Sequence, residues 1–150
     1  MQIITIFVMN IIHLDDKNFA MARRFTFSME CSVADSWRHN IDLMYVCYDS
    51  SGQKLSHGSV EDHIAPVGTN LKIQPAELGT GRRKVEILSD ECDNIRLLGY
   101  VNTHSMPTIK SVSQMPPFAL RVKVWADGEL LYDKVRRVSV WGGDSVDLKF

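Results

Sequence analysis

The run from Asn40 to Leu55, NIDLMYVCYDSSGQKL, reads as a strand, a polar turn and a returning strand, and it commits the chain to a sheet. Ile41, Leu43, Tyr45 and Cys47 fall on one face of the first strand. Met44, Val46 and Tyr48 fall on the other, with Asp42 alone among them. Two apolar faces predict an interior strand covered on both sides. A carboxylate set between apolar neighbours wants a cation or several backbone donors, so Asp42 is the first candidate for chemistry.

Other segments alternate in the same way. Phe25, Phe27, Met29, Cys31 and Val33 face one side of a half-buried strand, and Arg24, Thr26, Ser28, Glu30 and Ser32 the other. Asp35 to His39 is a polar loop carrying Trp37. Gln53 to Ser56 is the partner strand across the turn, and Gly58 to Asn70 reads as loop. A short strand over Leu71 to Ile73 ends at Pro75, which has no donor for a ladder. Val85 to Leu88 and Ile95 to Val101 are further strands, and Thr103 to Pro117 is a long Ser-, Thr- and Pro-rich loop. Phe118 to Trp125 alternates again, and Ala126-Asp127-Gly128 closes a hairpin with Leu130 to Asp133, its Asp-Gly pair suited to positive φ. Val138 to Trp141 and Val146 to Phe150 read as a last hairpin around Gly142-Gly143. Roughly eight short strands with no convincing amphipathic helix predict an all-β fold, an antiparallel β-sandwich.

A chain of 150 residues is expected to hold one domain, and it needs neither disulfides nor a metal to bury a core. That domain is expected over residues 21–150, beginning MARRFTF at Met21. Residues 1–20 are read as an apolar extension that packs as an added strand or stays loose. Ile3 to Ile12 is too short to span a bilayer, which takes about 20 residues. It also lacks the basic flank of a signal peptide, and Asp15-Asp16 separates it from the only Ala-x-Ala, Ala20 to Ala22. With 17 basic and 18 acidic residues, net charge −1, there is no basic footprint for nucleic acid. Cys31, Cys47 and Cys92 show no CxxC spacing; Cys31 and Cys47 sit at apolar strand positions that suit a free thiol, and a reducing compartment is expected.

Catalytic constellations are absent from the sequence. His13, His39, His57, His63 and His104 show no HExxH or H-x-H spacing, so a zinc site is not expected. There is no G-x-S-x-G elbow, Walker loop or GxGxxG. Cys47 reads as buried, and the acidic run SDECDN around Cys92 raises rather than lowers a thiol pKa. No enzymatic activity is expected. Calcium is the better candidate, because sandwich loops gather carboxylates and hard cations take oxygen ligands. Asn40, Asp42, Asp49, Glu61, Asp62, Asp90, Glu91, Asp93 and Asp144 are available, although none forms a D-x-D-x-D-G loop and loop acids are commonly just solvated. Basic residues form small runs, Arg23-Arg24, Arg82-Arg83-Lys84 and Lys134 to Arg137; Arg24, Arg121 and Lys123 alternate with apolar residues and read as solvated sheet faces, with an acidic partner or anionic membrane surface as the alternative.

The order of these segments resembles the tellurium-resistance TerD family, cytoplasmic β-sandwich proteins tied to chemical stress. That family has a D-F-D-L-D strand start, a hydrophobic strand and a D-G-K type turn; N-I-D-L-M at Asn40 to Met44, leading into YVCYDSSGQKL, stands in that place. Gly79-Thr80-Gly81-Arg82-Arg83-Lys84 and then VEILSDECDNIRLLGYV follow the order of the family's Gly-rich loop and later strands. SVSQMPPFALRVKVWADGELLYDK, Ser111 to Lys134, is similar to its F-G-Q-V-x-N-A-F-I-R-I-V segment and G-E-E-L turn. The resemblance covers roughly Phe25 to Lys134 and implies calcium binding through acidic loops. This chain departs there: Asn40 and Met44 replace two of the three strand-start aspartates, and Arg82-Arg83-Lys84 replaces the acidic loop. Asp42, with Asn40 beside it, is what carries over, and so few charged ligands imply a weak Ca²⁺ site.

The resulting expectation is a non-enzymatic binding or scaffolding protein of the TerD type, taking a protein partner or small ligand. The alternative is an unrelated sandwich module that binds a carbohydrate or peptide through Trp37, Trp125 or Trp141, against core packing for each indole.

Overall fold

The computed structural model describes residues 22–69, 80–105 and 116–150. Alternating side chains drive most of what forms there. β1 (Arg23–Ser32) buries Phe25, Phe27, Met29 and Cys31 on one face, and one helical turn, α1 (Val33–Ser36), follows it. β2 (His39–Tyr48) buries Ile41, Leu43, Tyr45 and Cys47. Next come β3 (Lys54–Asp62), β4 (Arg82–Cys92) and β5 (Asn94–Thr103), the last burying Ile95, Leu97 and Val101. β6 (Phe118–Ala126) buries Phe118, Leu120, Val122 and Val124, and β7 (Glu129–Val138) and β8 (Asp144–Lys149) complete the set.

These strands build two four-stranded antiparallel sheets, β4-β1-β6-β7 and β3-β2-β5-β8. The protein is an all-β sandwich, as the alternation predicts. Its core lies between the inner faces, where each fully buried Phe or Leu contributes about 1.5–3 kcal/mol. Gly99 lets the sheets close: a Cβ there would lie 2.1 Å from Cε of Met29 on the facing sheet. The β6–β7 turn uses Asp127 (φ 48°) and Gly128 (φ 83°), the positive-φ pair expected of a tight hairpin.

Several segments differ from the sequence reading. β2 is interior to its sheet, between β3 and β5, but it is covered on one side only: Met44 is 38% exposed on the outer face. β3 continues through Gly58 to Asp62, where loop was expected. It is an edge strand held by its backbone ladder to β2, so its side chains carry little apolar alternation. Val138–Trp141 and Val146–Phe150 do not form a hairpin. β7 lies in the first sheet and β8 pairs with β5 in the second, so the Ser139–Gly143 turn is a crossing between layers. β4 begins at Arg82 rather than Val85, and Arg83, within the basic run, is 8% exposed. The expected extension over residues 1–20, the strand over Leu71 to Ile73 and most of the loop over Thr103 to Pro117 lie outside the described residues. Among the described residues no helix is long and apolar enough to cross a membrane.

Candidate metal site on the outer face of β2 and β3

The β2–β3 ladder sets Asp42 directly opposite Glu61, and their side chains share the outer face of the sheet. His63 follows the end of β3, and its Nε2 lies 2.6 Å from Asp42 Oδ1. Side-chain exposure is 27% for Asp42 and 42% for His63, so solvent and ions reach the site. One ligand atom from each of Asp42, Glu61 and His63 falls within 4.8 Å of the others, and no second such group of His, Cys, Asp or Glu occurs among the described residues.

Asn40 positions this site rather than joining it. Its Oδ1 accepts the backbone N–H groups of Ile64 (2.9 Å) and Ala65 (3.4 Å), and its Nδ2 donates to Ala65 O (2.7 Å). The side chain is 2% exposed. With two donors on its oxygen, the carboxamide is no cation ligand, which corrects the expected Asp42–Asn40 pair. It fastens the segment that carries His63. Sequence spacing missed His63 because Glu61 and His63 share a face only if β3 extends past Gly58.

Four of the other carboxylates weighed as ligands, Asp49, Asp62, Asp90 and Asp144, have partners of their own. Asp49 Oδ1 accepts from Ser51 N, Ser51 Oγ and Gln53 N in the β2–β3 turn, and the Ser51 hydroxyl foremost holds its carboxyl below the usual range. Asp62 accepts from Arg83, Asp90 from Tyr45 Oη, and Asp144 from Arg136. Two carboxylates and one imidazole are a mixed O/N donor set. Ca²⁺ takes six to eight oxygens, whereas Zn²⁺ accepts carboxylate oxygen and imidazole nitrogen together and commonly keeps an open position beside three protein ligands. A cation here would take the place of the hydrogen bond between His63 and Asp42.

The three tryptophans do not form one surface. Trp37 is 6% exposed, and the Arg38 guanidinium lies 4.4 Å from its ring centroid and 4.2 Å from that of Trp141. Trp37 therefore offers no open ring face, contrary to its candidacy as a ligand platform. Trp125 stands apart on the outer face of the other sheet, with Lys123 and Lys84 ammonium groups 5.6 and 6.0 Å from its centroid. All three cysteines are free and buried. Burial, with the neighbouring Cys47 thiol second, pushes Cys92 up to about 12, so the expected upward direction holds while its main cause is desolvation rather than the acidic run. The chain matches no known family model, no curated protein and no solved structure.

Proposed function

We propose that this chain is a non-enzymatic β-sandwich binding protein whose outer sheet face takes a divalent cation through Asp42, Glu61 and His63, with zinc-class ions preferred over calcium. The observation that carries the reading is the convergence of two carboxylates and an imidazole within 4.8 Å on adjacent strands. Membership of a divergent TerD-like stress-response branch is part of the proposal. The sandwich and the placement of Asp42 in this cluster support it, while the donor set argues for a cation other than the calcium that the resemblance implies.

The test is a thermal-shift titration of tag-free, chelator-treated protein with ZnCl₂, MnCl₂ and CaCl₂. Zn²⁺ at 100 times its Kd stabilises by about 2.7 kcal/mol, and that gain is expected to vanish in Asp42→Ala and His63→Ala. Stabilisation by Ca²⁺ that survives His63→Gln would replace the zinc reading with the calcium one. No response to any of the three ions would remove the cation altogether.

A further inference from the structure

At the other end of the same outer face, about 20 Å along β2 from Asp42 by strand rise, lies a cavity of about 510 Å³. This falls inside the roughly 300–1,000 Å³ range of small-molecule sites. Its apolar wall is Tyr48, Ile95 and Phe150; its polar rim is Asn94, Arg96 and Lys149. The strands fix this arrangement. Tyr48 pairs with Asn94 and Arg96 with Lys149, so those four side chains share the face, and Ile95 and Phe150 exchange backbone hydrogen bonds of 2.9 and 3.0 Å beneath them.

The charges decide what can bind. Arg96 is held by a bidentate pair to Asp147 (3.0 and 2.7 Å), so its charge is matched and its spare N–H groups remain donors. Lys149 has no ion-pair partner among the described residues, but it stands in the field of the same Asp147, and Asp49 lies at the adjoining turn. With Arg96 matched by Asp147, Lys149 is the single unmatched cation on the rim, and no carboxylate side chain lines the cavity to receive a cation. Asn94 Nδ2 donates to Asp49 O, leaving its Oδ1 free to accept, and the Tyr48 hydroxyl is without a protein partner among the described residues.

We infer that this cavity binds a neutral sugar ring, stacked on Tyr48 with its hydroxyls bonded to Asn94, Arg96 and Lys149. A sugar has the two properties that the walls demand: a C–H face for an aromatic ring and uncharged groups that both donate and accept. The site is separate from the cation cluster.

The experiment follows backbone amide shifts of the full chain by ¹⁵N–¹H NMR during titration with cellobiose, maltose, lactose and N,N′-diacetylchitobiose. Glucuronate, inorganic phosphate and choline serve as charged comparisons. One or more of the neutral disaccharides is expected to shift the amides of Gly52 and Asn94 to Arg96 saturably, with Kd in the range of about 1 mM. Tyr48→Ala weakens it by about tenfold or more, Lys149→Ala by a few-fold, and Asp42→Ala leaves it unchanged. Lys149→Ala, at an exposed position, keeps the test sound should Tyr48→Ala fail to fold. Absence of saturable shifts with every neutral disaccharide, or tighter binding of a charged probe at these amides, overturns the inference.

Discussion

Arg83 shows how one side chain ties several elements together. Its Nε donates to Asp62 Oδ2 (2.7 Å), Nη2 to Asp62 O (2.7 Å), and Nη1 to Ser36 O (3.1 Å) and His39 O (2.8 Å). β4 is thereby joined to α1, β2 and β3, and three backbone carbonyls find donors away from water. Asp62 is 45% exposed at its side chain and can turn to solvent if the pair is broken, so the full cost of an orphaned buried charge does not apply. Arg83→Met is expected to lose about 2–3 kcal/mol in urea denaturation, mostly from the stranded carbonyls. Arg83→Lys recovers less than half of that, because an ammonium cannot reproduce the planar fork. A loss within about 0.5 kcal/mol for Arg83→Met would show that the network is incidental. Part of this was legible: Arg83, Val85 and Ile87 share a strand face, so starting β4 earlier would have flagged a buried arginine. The expected strand began at Val85, which left the basic triplet outside it and its alternation uncounted.

At the scale of elements, strand existence was readable while pairing was not. β1, β2, β5 and β6 follow their apolar alternation, since each needs one face against the core. β3 has almost no such pattern, and its register carries the candidate site. A bulge between Cys47 and Tyr48 changes that register: Tyr48 pairs with Lys54, yet Cys47 pairs with Ser56. Without it Asp42 would face Val60 rather than Glu61, and no composition rule announces a bulge. The β7–β8 crossing was also hidden, because a Gly-Gly turn between two short strands ordinarily means a hairpin. Gly143 is what lets that crossing pass close to β5. Its φ is 64°, and a Cβ would lie 2.0 Å from the Val101 carbonyl oxygen. Backbone strain and a backbone clash therefore add, and Gly143→Ala is expected to cost about 2–4 kcal/mol. Gly142→Ala, whose Cβ would only touch the Ser139 side chain at 3.4 Å, stays within about 1 kcal/mol. Equal losses from the two substitutions in chemical denaturation would refute the role given to Gly143.

Across the whole molecule, the two sheets meet around a buried histidine, which makes stability depend on pH. His39 is fully buried at the start of β2, with its ring centroid 5.0 Å from that of Phe118. Neither ring nitrogen closes a hydrogen bond among the described residues, although the ring faces the backbone of Ser139 and Val140. Burial foremost, with Arg83 and His104 adding repulsion, pulls the imidazole down from 6.5 to about 4. The unfolded chain then takes up a proton at His39 below pH 6.5, while the folded chain resists until about pH 4. Between those values the unfolded state binds more protons, so this contribution is complete above pH 6.5 and is lost as pH falls through the folded pKa. Its size over the window is on the order of 3 kcal/mol. Exposed ion pairs such as Arg121–Asp133 weaken on acidification too, so the informative quantity is a difference between proteins rather than one curve. His39→Leu fills the same apolar corner without a titrating group. Its denaturation free energy should fall by roughly 3 kcal/mol less than that of the parent between pH 7 and pH 4. Parallel pH profiles for the two proteins would mean that His39 titrates normally in the fold, and that the corner where α1, β2 and the β7–β8 crossing meet admits water.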